Sequence, residues 1–340
     1  MTSPSILGSL LGTAVGDALG LSCEGMSRKR VRAFGEIRHR FLIEGGMFSD
    51  DTEHTLMLAA AMHAHRDDVR AFQRSFAWKL RWWLLGLPAG VGLSTAKAIL
   101  RLWIGYPPSK SGVRSAGNGA AMRSAIVGAL WADDDAKRHE FALAACRITH
   151  TDPRAEESAI LVAEAAALAA NRIPTAEALN RLHPFVTSEI MKEQFEVLEQ
   201  TLSENNSVSE FATRIGCGYG VSGFAPHTVA VALFAWLRHR DDFETAVRSV
   251  IACGGDTDTV AAITGGICGA EVGEKGIPTA WIDAICEWPR SVAHVREVAA
   301  AMSDHSTPMP RVFWFSVLLR NVVFLAVVLL HGFRRLLPPY

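Results

Sequence analysis

Apolar residues in this chain recur at three- and four-residue spacing almost from end to end, and they nowhere alternate for long enough to build a strand. The stretch SPSILGSLLGTAVGDALG reads as a capped helix from Ser3, with Leu7, Leu10, Leu11 and Val15 on one side. DDTEHTLMLAAAMHAH, VRAFQRSFAWKLRWWLLG, GLSTAKAILRLWIG and NGAAMRSAIVGALWA have the same period, the last entered through Gly117-Asn118-Gly119. So do DAKRHEFALAACRITH, PRAEESAILVAEAAALAANR, EIMKEQFEVLEQTLSE, APHTVAVALFAWLRHR, DFETAVRSVIACGG, the segment after Asp256, and AWIDAICEW. Alanine is dense in 58–64, 141–146 and 159–170, which favours helices packed closely through small side chains. The expected fold is all-α: one multi-helix domain over 1–300 and a distinct apolar helical tail over 301–340.

The net charge of −1 gives no reason to expect a polyanion partner, so nucleic acid is excluded as a working hypothesis. The cysteines at 23, 146, 217, 253, 268 and 286 show no C-x-x-C spacing. The N-terminal stretch lacks a basic region and carries Asp17, unlike a secretory signal. A cytoplasmic, reduced protein is therefore expected, with cysteines, Cys253 included, acting as small buried hydrophobic residues.

Polar residues gather where helices start. GGMFSDDTEHTLM sets Ser49, Asp50, Asp51 and Thr52 before one helix, and CGGDTDTVAAITGG sets Asp256, Asp258 and Thr259 before another. Each cluster alone reads as an N-cap with acids in the first turn. Two clusters of the same form read differently, because a cap needs one oxygen and not two carboxylates plus a hydroxyl. Brought together, Asp50, Asp51, Asp256 and Asp258, with the Ser49 and Thr259 hydroxyls, form an all-oxygen shell for a hard cation, Mg²⁺ or Mn²⁺. Four carboxylates exceed the need of one ion, so two ions about 3.5–4 Å apart are expected.

The segments GDALG…E, SDDT, GNGAAMR, ITHTDPRA and GGDTDT stand in the order and approximate spacing of the ADP-ribosylglycohydrolase family, and the chain resembles it over residues 5–290. That family includes dinitrogenase reductase-activating glycohydrolases and ADP-ribosyl-acceptor hydrolases. The resemblance implies an all-helical fold, a binuclear Mg²⁺ or Mn²⁺ centre, and hydrolysis of the bond between ADP-ribose and an acceptor. It makes Ser49, Asp50, Asp51, Asp256, Asp258 and Thr259 the metal ligands, with Ser49 standing where the family often has Thr. It places Asp17 behind the ligands and makes Glu24 the candidate catalytic acid or base. Substrates implied are an ADP-ribosylated protein or a small ADP-ribosyl compound.

Further residues are read with both roles open. Gly117, Asn118 and Gly119 form either an anion cradle for ribose or diphosphate at a helix N-terminus, or a tight turn capped by Asn118. His150 is either structural or a hydrogen-bonding partner of substrate. Phe224 or Tyr219 either stacks on adenine or plugs a helix junction. In the tail, VFWFSVLLRNVVFLAVVLL is long enough to span a bilayer, but Arg320 and Asn321 interrupt it. At helical spacing Ser316, Arg320, His331 and Arg334 share one sector, which suits a helix lying across the domain or touching a membrane surface through 312–335 better than a span.

The function expected is removal of ADP-ribose from a modified acceptor, most plausibly a protein arginine. The rivals are a non-catalytic ADP-ribose binder, such as an immunity protein that occludes a toxin, and a two-metal phosphoesterase acting on ADP-ribose-like molecules.

Overall fold

The computed structural model describes residues 3–41 and 45–335; the outermost residues of both predicted regions, 1–2 and 336–340, lie outside them. Seventeen α-helices occur among the described residues: α1 (Pro4–Gly20), α2 (Arg28–Phe34), α3 (Asp50–Ala64), α4 (Val69–Leu85), α5 (Leu93–Trp103), α6 (Ala125–Leu130), α7 (Asp135–Arg147), α8 (Pro153–Ala170), α9 (Thr175–Leu182), α10 (Glu189–Ser203), α11 (Val208–Arg214), α12 (Ala225–Arg238), α13 (Phe243–Ile251), α14 (Thr257–Val272), α15 (Thr279–Asp283), α16 (Val292–Ser303) and α17 (Trp314–Arg334). Extended backbone is limited there to isolated bridges, so the all-α expectation is met.

The core is organised around α1 and α14, which run antiparallel at backbone contact. A Cβ added at Gly8, Gly12 or Gly16 would stand 2.0 Å from the carbonyl oxygen of Gly269, Gly265 or Ala261, and one at Gly20 would stand 2.2 Å from that of Thr257. The contact thus repeats every fourth residue on both helices, one turn at a time. On α1 only a residue without a side chain fits at these four positions. The Thr257 hydroxyl closes the end of the ladder, donating to the Gly20 carbonyl at 2.7 Å. Helices α8, α12 and α13 pack around this pair, and alanines on α8 and α12 keep the layers close.

Four helices escape the sequence reading: α2, α9, α11 and α16. Three of them are too short to show an apolar period, and α16 carries helix past residue 300. NGAAMRSAIVGALWA needs correction. It does not form one helix entered at Gly117-Asn118-Gly119: a 3₁₀ turn occupies Ala121–Arg123 and α6 begins only at Ala125. The Asn118 side chain turns away from the capping position toward other partners, and Arg123 binds back to the Gly119 carbonyl.

The tail helix α17 lies across the domain through Arg320 and His331 of its polar stripe and through Asn321, whereas Ser316 donates back to the Phe313 carbonyl and Arg334 is exposed. Arg320 donates to Glu287 through Nε (2.8 Å) and Nη2 (2.6 Å), and Nη2 also reaches the Phe48 carbonyl at 2.6 Å. Glu287 in turn accepts from the Phe48 N–H at 3.2 Å. Asn321 donates to the Gly86 carbonyl at 2.8 Å, and His331 Nε2 lies 3.2 Å from the Ser22 carbonyl. The residues that break the apolar run are therefore its anchors.

Candidate active site

Both acidic clusters stand at helix N-termini that open into one cavity. Its volume is about 570 Å³, and its acid wall holds Glu24, Asp50, Asp51, Asp256, Asp258 and Thr259. Gly117, Asn118, Gly119 and His150 form another wall. The loop Gly92–Thr95 and the turn Val221–Gly223 complete it.

The glycine pair before Asp256 has a specific task. Gly254 and Gly255 have φ of 72° and 88°, a region that side-chain-bearing residues avoid. The Gly255 N–H donates to the Met26 carbonyl at 2.7 Å, and its own carbonyl accepts from Gly25 at 2.8 Å. Val221 pairs with this strand-like stretch too, donating to Gly254 and accepting from the Asp256 N–H, both at 2.8 Å. A Cβ on Gly255 would meet the Val221 oxygen at 2.0 Å. The two glycines thus thread between the Glu24 loop and the 221 turn, and deliver Asp256 to the cavity.

Asp256 occupies the N-cap position of α14 but makes no capping bond. Its Oδ2 instead accepts from Asn118 Nδ2 at 2.8 Å; Asn118 also donates to Thr228 Oγ1 at 3.1 Å. The plain capping reading therefore fails at Asp256. It holds at Ser49, whose Oγ accepts from the Asp51 N–H at 3.2 Å and donates to Asp51 Oδ2 at 2.9 Å. Thr259 Oγ1 reaches the same Asp51 oxygen at 3.4 Å.

Asp17 lies behind the acid wall, fully buried, and holds the start of α3. It accepts from the Ser49 N–H (2.9 and 3.0 Å), the Thr52 N–H (3.1 Å) and the Thr52 hydroxyl (2.6 Å). Asp17 and Ser49 do not line the cavity. Phe224 does not line it either: its ring carries the Arg154 guanidinium at 5.4 Å and the edge of His227 at 5.1 Å. Tyr219 is 91% exposed and stands outside as well.

The acids are held in a costly state. Burial raises Asp50 to about 8, helped by the Asp17 charge, and burial raises Asp17 to about 6 against its four hydrogen bonds. Burial first, then Asp17 and Asp50, pushes Asp51 well above the carboxylate range. Burial, then Glu24 and Asp256, does the same to Asp258. Glu24 is open to the cavity yet crowded by protein, and burial followed by the Asp256 charge raises its carboxyl.

Asp51 Oδ1 and Asp258 Oδ1 are buried with no hydrogen-bond partner. No group of three or more His, Cys, Asp or Glu side chains among the described residues is gathered closely enough to cage an ion by itself. The donor set nonetheless fits a hard cation: all oxygen, anionic, partly orphaned and open on the cavity side, where water or a ligand hydroxyl completes a shell. An unpaired buried carboxylate is unstable without such a partner.

On the facing wall, burial and then the Arg123 charge push His150 down to about 3, so its ring is neutral. Its Nδ1 pairs with Thr149 Oγ1 at 2.9 Å, which turns the other edge toward Gly117 and Gly119. Arg123, which the sequence reading passed over inside GNGAAMR, fixes this wall. Its guanidinium bonds to the Gly119 and Ala145 carbonyls and to Thr149 Oγ1. The loop GLSTAK, given no chemistry from sequence, supplies Thr95.

The family model described as ADP-ribosylglycohydrolase matches residues 3–308. An ADP-ribosyl-[dinitrogen reductase] glycohydrolase of Rhodospirillum rubrum is 29% identical, over 83% of this chain and 92% of that protein. An ADP-ribosylarginine hydrolase, Tri1, of Serratia proteamaculans is 25% identical, over 83% of this chain and 75% of its own length. A solved structure described as an ADP-ribosylglycohydrolase-related protein complex superposes with a TM-score of 0.69 at 28% identity, covering 89% of this chain and 98% of that one. The acid-walled cavity stands on the scaffold those proteins share, and the chain belongs to the ADP-ribosylglycohydrolase family.

Proposed function

We propose that this protein hydrolyses the bond between ADP-ribose and a modified acceptor, the side chain of a protein arginine, with two divalent cations, Mg²⁺ or Mn²⁺, at the acid wall. The carrying observation is the pair of orphaned oxygens, Asp51 Oδ1 and Asp258 Oδ1, brought from distant segments to one cavity. Asp50, Asp51, Asp256, Asp258 and Thr259 would hold the cations, with Ser49 orienting Asp51 from behind. When bound, the cations supply Lewis acidity toward ribose hydroxyls and water.

The chain's own groups do the rest. Asn118 keeps Asp256 aimed at the cavity, and Asp17 keeps the first turn of α3 in place. The neutral His150 edge and the 117–119 backbone face the space where a sugar and diphosphate fit, which is an orienting role. Cleavage at the anomeric carbon develops oxocarbenium character. Glu24, whose carboxyl is raised by burial and the Asp256 charge, is suited to carry a proton to the leaving group or from water. Arginine as acceptor is supported by the name of the Serratia relative. The six cysteines are all free, which suits a cytoplasmic enzyme.

The test is incubation with proteins ADP-ribosylated on arginine or on serine, with Mg²⁺, Mn²⁺ or chelator, read by mass spectrometry. Release of free ADP-ribose from arginine alone supports the full reading. Release from serine removes the acceptor assignment, and no release with either metal removes the hydrolase.

A further inference from the structure

The outer face of α17 is built the wrong way round for a helix that merely packs on a soluble domain. Its polar residues Arg320, Asn321 and His331 point inward and are tied to Glu287, Gly86 and Ser22. Its outward stripe is Phe315, Leu319, Val322, Val323, Leu330 and Phe333, each more than half exposed. At helical spacing these six fall on one side, opposite the buried Val317 and Phe324.

The stripe continues onto the neighbouring helices. Trp314 packs edge-on against Trp82 with ring centres 5.8 Å apart, and Trp82 meets Trp78 at 6.0 Å and Trp103 at 6.4 Å. Trp78, Trp82 and Trp103 are all exposed. Leu93 and Leu100 on α5, and Ile104 just after it, are exposed as well. Leu93 also lines the active-site cavity, so the apolar face runs up to its mouth.

Charge says what covers this face. Residues 69–114, which include α4 and α5, hold eight Lys and Arg and no Asp or Glu, and after Asp304 the chain has no acid and, besides the buried and paired Arg320, three Arg. Two clefts flank the tryptophan row, and neither has an acid in its wall. One, of about 640 Å³, presents Arg74, Arg81 and Tyr106 beside Trp78. The other, of about 700 Å³, presents Lys79 and Arg311 beneath Trp82 and Trp314, while its Arg290 is paired with the buried Glu53. Aromatic rings at an apolar face with cations at its edge match the layered chemistry of a bilayer surface: acyl chains, interface and anionic headgroups.

We propose that the outer face of α17 with the Trp78–Trp82–Trp103–Trp314 row is a docking surface for an anionic lipid bilayer. The helix lies in the interface and does not span, because spanning would strip Arg320 from Glu287. Docking would place the cavity mouth, at Leu93, close to the membrane plane. This inference is independent of the reaction assigned to the cavity.

The test is co-sedimentation of the full chain with vesicles of phosphatidylcholine, with and without phosphatidylglycerol. The expected result is roughly tenfold more bound protein on the phosphatidylglycerol vesicles, falling as salt is raised. The double substitution Leu319→Glu/Val323→Glu, on the exposed stripe, is expected to abolish binding while leaving the melting temperature unchanged. Arg74→Glu/Arg311→Glu, one cation from each cleft, is expected to remove the preference for phosphatidylglycerol. Absence of binding to anionic vesicles overturns the proposal, as does binding that both double variants retain. A concentration-dependent dimer in sedimentation velocity that Leu319→Glu/Val323→Glu dissolves also overturns it, in favour of a second copy of the chain.

Discussion

The glycine ladder between α1 and α14 is the feature whose perturbation has the clearest consequence, and Gly12→Ala is the sharpest perturbation. The new methyl would begin 2.0 Å from the Gly265 oxygen and 2.8 Å from its carbonyl carbon, where ordinary contact starts at 3.4 Å. The obstacle is backbone, so no rotamer change relieves it, and the helices must part. Overpacking of this kind costs about 1–3 kcal/mol and more where neighbours cannot yield. Replacing a mid-helix glycine by alanine returns about 1 kcal/mol of propensity. With backbone on both sides and three further rungs holding the register, the cost should exceed that range, at about 4 kcal/mol, for a net loss of about 3 kcal/mol after the propensity gain. At roughly 2–4 °C per kcal/mol for a large domain, the melting temperature should fall by at least about 6 °C. Thermal unfolding followed by far-UV circular dichroism measures this, with Gly332→Ala as the control, since a Cβ there meets nothing within 4 Å. Gly265→Ala should act alike, because its methyl would begin 2.1 Å from the Gly12 oxygen. The double variant should lose less than the sum, since the second methyl enters helices already parted. A Gly12→Ala protein as stable as the parent would refute the close-packed ladder.

Four further outcomes are expected. Asp258→Asn should abolish ADP-ribose release and the thermal shift produced by Mg²⁺ or Mn²⁺, yet raise the melting temperature of the metal-free protein, because it removes a buried carboxyl that burial and Glu24 already disfavour; a lowered metal-free melting temperature would contradict the orphan argument. Without metal, stability should fall as pH rises from about 4 to about 8. Asp50 and Asp17 have folded values near 8 and 6 against the ordinary 3.8, so the folded state holds more protons in that window and raising pH favours unfolding; chemical denaturation with chelator at several pH values reads the slope, and metal should flatten it. Arg320→Met should cost about 3–5 kcal/mol by leaving Glu287 buried and unpaired, and it should lower kcat by loosening Phe48, next to Ser49; adding Glu287→Gln should recover much of the stability, as urea titration would show. Arg123→Met should raise KM more than it lowers kcat, because Arg123 braces the His150 wall and not the acids.

Much of this was legible before the fold was known, for identifiable reasons. Helix periodicity is local, so α3, α4, α8, α10 and α12 could be read almost to their ends. The acid clusters could be read because two carboxylates and a hydroxyl exceed what a cap requires. What escaped depends on side-chain direction. Asn118 sits where a cap belongs, yet its amide turns to Asp256 from 138 positions away. Ser49 reads as a ligand from sequence, yet it does not line the cavity: its hydroxyl caps the helix it precedes and binds Asp51. Phe224 faces Arg154, a pairing no local pattern announces. The four-residue glycine repeat at 8, 12, 16 and 20 was in plain view, but its meaning lay in the matching small residues at 257–269.

That repeat also explains how acids that repel each other are held in one place. Asp17 is one residue beyond the third rung, and Asp256 and Asp258 flank the fourth, where Thr257 meets Gly20. A slip of one helical turn would carry Asp17 about 5.4 Å along the axis and forfeit all of its bonds to Ser49 and Thr52. Since those bonds fix the start of α3, the ladder sets the position of Asp50 and Asp51 relative to Asp258 without touching either. The N-termini of α3 and α14 add their partial positive charge to the same cluster. The tail closes the arrangement from the far side: Glu287 and Arg320 hold both backbone groups of Phe48, so the loop bearing Ser49 is gripped by α1 on one side and α17 on the other. Two helices with no ligand of their own, α1 and α17, thus help to determine where the carboxylates stand.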